Sequence, residues 1–244
     1  MQLKITPIVH ARYWAAICVA SMCGTNLGDI IPHYLGLQTA AGLLLTTVLF
    51  ALVMLAERFS TTGSEMFYWA AILIVRAAAT DIADGLVEHA HLGYLAAGVI
   101  LLGIFIFAVW QARNGMRSTV PSINGVFWFA MLSAGALGTV VGDAGAHMFG
   151  PVIASAPISV ALASIALVLV LAARARNIWA SATSYWIAVV VVRWWGTNMG
   201  DMSTHVLSLA VSGGATLLVL LATLLLWRNP RVDLPLHDRT RGNV

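Results

Sequence analysis

The 244-residue chain is 60% hydrophobic and only 9% charged, with a formal net charge of +3. Soluble domains of this size carry roughly a quarter charged residues, so the composition excludes an ordinary soluble globular protein. The small positive excess is scattered over loop arginines, and no basic patch points to a nucleic-acid partner.

The amino-terminal stretch MQLKITPIVHAR is polar and runs directly into an apolar segment. It reads as a first span that is its own insertion signal rather than a cleaved leader. Cys18 and Cys23 both fall in that segment, five apart, so they face differently and form no disulfide framework. The segment opens with YWAAICVASMCGTNLGDIIPH, and three later segments repeat it: YWAAILIVRAAATDIADGLVE, FWFAMLSAGALGTVVGDAGAH and YWIAVVVVRWWGTNMGDMSTH. Each copy pairs an aromatic residue with a tryptophan: Tyr13-Trp14, Tyr68-Trp69, Phe127-Trp128 and Tyr185-Trp186. Fifteen residues after each tryptophan stands an aspartate: Asp29, Asp84, Asp143 or Asp201. Four before it stands Thr25, Thr80, Thr139 or Thr197, and four after it His33, Glu88, His147 or His205.

Each copy continues through a short turn into a plainer apolar run, at 38–56, 92–112, 152–173 and 207–227. About 20 apolar residues cross a bilayer. The expected fold is therefore all-α and integral to the membrane: eight transmembrane helices as four tandem two-helix repeats, over 12–58, 67–114, 126–176 and 184–228. These make one transmembrane domain, 1–228, followed by a tail at 229–244 that contains Pro230 and Pro235. A hairpin returns the chain to its starting side, so the motif helices run parallel. Lys4, Arg12, Arg58, Arg113, Arg117, Arg174 and Arg176 all lie at the amino terminus or between repeats. By the positive-inside rule both termini and the tail are cytoplasmic. The tryptophans then lie at the inner interface, where indoles commonly anchor spans in an aromatic belt.

Through these four tryptophans and the aspartates downstream, nearly the whole chain resembles a family of bacterial membrane proteins of unassigned function. That family is built from four tandem two-helix repeats, each marked by a tryptophan. The resemblance implies a location in the bacterial inner membrane and carries no activity with it.

Residues four apart share one helical face, so Thr-x3-Asp-x3-His is a single polar stripe about 12 Å long. Ionised groups are costly inside a bilayer, so Asp29, Asp81, Asp84, Glu88, Asp143 and Asp201 should face one another rather than lipid. The expectation is an inner ring of four motif helices wrapped by four plainer ones. Gly24/Gly28, Gly138/Gly142 and Gly196/Gly200 are small-xxx-small pairs suited to close helix approach, with Ala79/Ala83 replacing them in the second copy. Arg76 and Arg193 occur in copies two and four only, seven after the tryptophan. They read as counter-ions to neighbouring carboxylates or, alternatively, as an anion site. The residue after each threonine varies: Asn26, Asp81, Val140 and Asn198.

Four registered carboxylates with three histidines and Glu88 suit a divalent transition metal (Zn, Mn, Fe, Co or Ni), up to two ions in number. The ligands would be Asp29, His33, Asp84, Glu88, Asp143, His147, Asp201 and His205, near the outer face. The leading expectation is a transporter for that metal, with the bilayer and the ion as its partners. The alternatives are a membrane-embedded dinuclear metalloenzyme open to the outer side and a structural protein with a polar packing network. No nucleophile–base pair or phosphate-binding glycine loop speaks for covalent catalysis. His89 and His91, off the register, read as loop residues.

Overall fold

The computed structural model describes residues 3–61, 63–113, 122–148, 152–176, 178 and 181–227. Arg117 and the tail 229–244 lie outside the described residues. The described residues form eight long helices: α1 (Ala11–Leu35), α2 (Thr39–Phe59), α3 (Met66–Asp84), α4 (Tyr94–Arg113), α5 (Gly125–Met148), α6 (Val152–Ala175), α7 (Ala182–Val206) and α8 (Leu209–Leu226). Among the described residues there is no strand. Six helices, α1, α2, α4, α5, α6 and α8, are long and apolar enough to cross a membrane, and the protein is a multi-pass helical membrane protein. The two helices that carry Arg76 and Arg193 are not among those six.

The helices sort into two shells by composition. The motif helices α1, α3, α5 and α7 pack in a closed ring, α1 against α3, α3 against α5, α5 against α7 and α7 against α1. The plainer helices lie outside and turn leucine and isoleucine outward, with Leu44, Leu95, Val168 and Leu218 all exposed. Each outer helix packs chiefly on the inner helix of the next copy: α2 on α3, α4 on α5, α6 on α7, and α8 back on α1. The repeats thus interlock around the ring instead of standing as separate hairpins.

Small residues set the ring's radius, because each helix lays its stripe into the small pair of its neighbour. A methyl group at Gly24 would stand 2.5 Å from Arg76 Cγ, and one at Gly28 would stand 2.7 Å from Thr80 Cβ. Gly138 and Gly142 receive Arg193 and Thr197 in the same way, at 2.5 and 3.0 Å from their Cβ atoms. Gly196 and Gly200 receive Ser21 and Thr25 of α1. The second copy carries Ala79 at this position, and the residue it meets is Gly135, where a Cβ would stand 2.6 Å from the alanine methyl. The size exchange keeps the α3–α5 seam closed.

The ends are tied by hydrogen bonds. Lys4 Nζ donates to the carbonyls of Glu57, Arg58 and Ser60 at 3.0, 2.9 and 2.7 Å, capping the carboxyl end of α2. Arg12 pairs with Glu65 and donates to the Leu224 carbonyl at 2.9 Å, joining α1 to the end of α8. Ser181 and Ser184 form a reciprocal capping box at the start of α7. After Asp84, α3 widens into a π-helical turn, Gly85–His89.

Candidate functional site

The stripe that begins at each motif aromatic and steps in fours lines the axis of the ring. Its first level is Tyr13, Tyr68, Phe127 and Tyr185, none more than 2% exposed. Tyr13 Oη hydrogen-bonds Tyr68 Oη at 2.9 Å and Tyr185 Oη at 2.7 Å. The tryptophans form an outer collar on these rings. Each packs edge-on to its own neighbour, and each also touches the aromatic of the preceding copy: Tyr13 with Trp69, Tyr68 with Trp128, Phe127 with Trp186, and Tyr185 with Trp14. These eight rings close a circle, with centroid separations of 5.7–5.8 Å between copies. Trp69, Trp128 and Trp186 are therefore buried. For these three the expectation of interfacial anchors is corrected, since they join one repeat to the next; Trp14 is half-buried.

The second level is apolar: Ile17, Ile72, Met131 and Val189. The third holds Ser21, Arg76, Gly135 and Arg193, and both arginines are 0% exposed. The serine and the glycine leave room for the two long side chains. Arg76 extends to the fourth level, where all four threonines receive it. Its Nη1 donates to Thr80 Oγ1 at 3.1 Å and Thr139 Oγ1 at 2.8 Å, and its Nη2 donates to Thr25 and Thr197, both at 2.7 Å. Each threonine hydroxyl in turn donates to the carbonyl four residues back, at 2.9–3.4 Å. One guanidinium is thus the shared centre of four helices. Arg193 does not reach this collar. Among the described residues its one hydrogen-bond contact is Nη2 with Met131 Sδ at 3.8 Å, one level towards the tyrosines.

One turn beyond the threonines lie Asp29, Asp84, Asp143 and Asp201, all half-buried. Each carboxylate interacts electrostatically with Arg76 and with at least one other aspartate of the set. They do not contact the guanidinium: among the described residues the one ion pair is Arg12–Glu65. Neither Arg76 nor Arg193 forms a direct ion pair with a carboxylate among the described residues, and Arg76 acts on the aspartates across the threonine level. A step of four residues is about 6 Å along a helix, and the threonines fill that gap.

The last level, His33, Glu88, His147 and His205, is exposed. His33 packs on Tyr34, with centroids 4.6 Å apart. His147 stacks on Tyr94 at 5.6 Å and donates from Nδ1 to the Asp143 carbonyl at 2.7 Å. Glu88 lies in the π-helical turn. Among the described residues no three His, Cys, Asp or Glu side chains stand close enough together to hold a metal ion. The off-register His89 and His91 are exposed, His89 beside Thr39 Oγ1 at 3.3 Å.

The residue after each threonine points the other way. Asn26 donates to Ser212 of α8 at 2.8 Å, and Asn198 donates to Ser159 of α6 at 2.9 Å. Asp81 faces Gly42 of α2, whose Cβ would lie 2.7 Å from Oδ2, and Val140 faces Gly98 of α4. One residue turns a helix by about 100°, enough to leave the axis. Asp81 thus leaves the axial row for the α2 side, though it still acts electrostatically on Asp29 and Asp84, and Asn26 and Asn198 serve the outer shell.

Sequence reasoning does not single out Tyr13, Tyr68 and Tyr185 as axial groups. The signal was present: each aromatic lies sixteen residues before its aspartate, four steps along the same stripe. No protein-family model, curated protein or solved structure matches the chain.

Proposed function

We propose that the protein is a multi-pass transporter of a divalent transition-metal ion, with Asp29, Asp84, Asp143 and Asp201 as the ion's binding ring. The observation that carries this reading is the set of four carboxylates, one per inner helix, coupled to one another above a single buried guanidinium. Four ionised carboxylates with Arg76 carry a net −3, which one bound divalent ion reduces to −1. Ring members too widely spaced for direct chelation by three side chains suit an ion that keeps part of its water shell, as hard oxygen-bound cations do. The exposed row His33, Glu88, His147 and His205 collects the ion at the mouth. Arg76 bars the axis electrostatically, so passage requires the guanidinium to leave the threonine collar. Protonation of the carboxylates then favours release.

In this reading all eight helices span the membrane, α3 and α7 being shielded from lipid by the outer shell. Lys4, Arg58, Arg174 and Arg176 put the tyrosine end in the cytoplasm, and the family resemblance suggests a bacterial inner membrane. Uptake of Mn2+, Co2+, Ni2+, Zn2+ and Fe2+ into proteoliposomes tests the reading. Wild type should show saturable flux of at least one ion, and Asp143→Asn with Asp201→Asn should reduce it about tenfold or more, the equivalent of about 1.4 kcal/mol. Wild-type vesicles no faster than empty ones for every ion would overturn it.

A further inference from the structure

Arg193 is a wholly buried cation with too few partners. Its side chain is 0% exposed, and its Nε and Nη1 have no hydrogen-bond partner. Its Nη2 reaches a thioether at 3.8 Å, a weak acceptor. Arg76 comes from the same level of the stripe yet has four hydroxyl oxygens around it. A guanidinium does not lose its proton at neutral pH, and a buried charge left unpaired is strongly unfavourable. Among the described residues no carboxylate forms an ion pair with Arg193. The aspartate ring lies on the far side of Arg76 and the threonine collar.

The tyrosines beside it complete a donor set. Three hydroxyls carry three protons, and the two bonds that link them, Tyr13 to Tyr68 and Tyr13 to Tyr185, use two. One O–H remains to point elsewhere. The fourth place at that level is Phe127, which adds no acceptor. The level between the arginines and the phenols is hydrocarbon, with Ile17, Ile72 and Val189 all buried.

We propose that a small monovalent anion of the chloride class binds inside the ring, held by Arg193 Nε and Nη1 and by the spare phenol proton. One surplus positive charge, a hydrocarbon wall and donors without acceptors match a halide better than a bulky or divalent oxyanion. The site lies at the opposite end of the axis from the carboxylates and stands whether or not the protein carries metal.

The test uses the purified full chain in detergent, exchanged into sodium gluconate and titrated with sodium chloride or sodium bromide. Wild type should show a saturable rise in Tm at millimolar halide that gluconate does not give. Arg193→Met should abolish the halide dependence, and replacing Tyr13, Tyr68 and Tyr185 together by phenylalanine, which removes every phenol proton, should weaken it about tenfold, as expected for loss of one hydrogen bond to a charged partner. If Arg193→Met does not fold, crystals of the wild type grown in bromide decide, with an anomalous peak expected beside Arg193 Nε and Nη1. A halide response equal in wild type and Arg193→Met, or bromide crystals without that peak, would overturn the site. So would a phenolate absorbance band in halide-free wild type at neutral pH, since a tyrosine would then be supplying the negative charge.

Discussion

At the scale of single residues, Arg76 and Arg193 separate two roles that the repeat pattern alone treats as one. Both stand seven after a tryptophan on inner helices, yet one is satisfied by four threonines and the other by almost nothing. The planar fork of arginine is what lets a single side chain serve four hydroxyls, two from each terminal nitrogen. A lysine ammonium has three donors on a point charge. Arg76→Lys should therefore leave at least one threonine unserved and destabilise the protein by about 2–3 kcal/mol, read as a lower Tm in detergent. A lysine variant as stable as wild type would mean that the collar does not depend on fork geometry. The threonines themselves were legible in the sequence from their spacing. Their common partner was not, because periodicity places a side chain on a face without saying how far along the axis its far end reaches.

At the scale of helices, the seams decide which glycines matter. Gly138 faces Arg193 with no room for a methyl group, whereas Gly103 on α4 has nothing within 4 Å of its Cβ position. Gly138→Ala should force the α5–α7 seam apart and cost about 1–3 kcal/mol, the usual range for overpacking. Gly103→Ala should be neutral or stabilising by up to about 1 kcal/mol, since alanine favours the helical backbone. Thermal unfolding of the two variants side by side checks this, and equal losses would refute the seam assignment. The small-xxx-small pairs were visible as a pattern, and even the exception at Ala79 has a partner, Gly135, in the next copy. Asp81 shows where pattern reading ran out. Its charge suggested the axis, but its position, one residue past the stripe, turned it towards α2.

At the scale of the whole molecule, the repeats form a circle whose last member returns to the first. Trp14 packs on Tyr185, and α8 covers α1. Arg12 reaches the Leu224 carbonyl, so the two ends of the helical body adjoin. A circular permutant that begins at residue 125 and joins 227 to 3 through a flexible linker should therefore fold. It should keep a Tm close to that of wild type and the same helical circular dichroism. A permutant that fails to fold from several such starting points would show that order of synthesis, not closure, governs assembly. The helical membrane character and the split between polar and plain helices could be anticipated from composition. The offset of each outer helix onto the next copy could not, because a hairpin's two helices carry no mark of which neighbour the second will choose.

The collar around Arg76 also bears on how such a chain can have come to be a single polypeptide. An assembly of four identical subunits would bring either four guanidiniums to one crowded level or none at all. Copies joined in one chain can differ: one carries the arginine that points towards the carboxylates, another the one that points away, and the remaining two carry serine and glycine, which leave space. A ring of four identical subunits has no such centre, so any ion-handling role that depends on it depends on the copies being unlike.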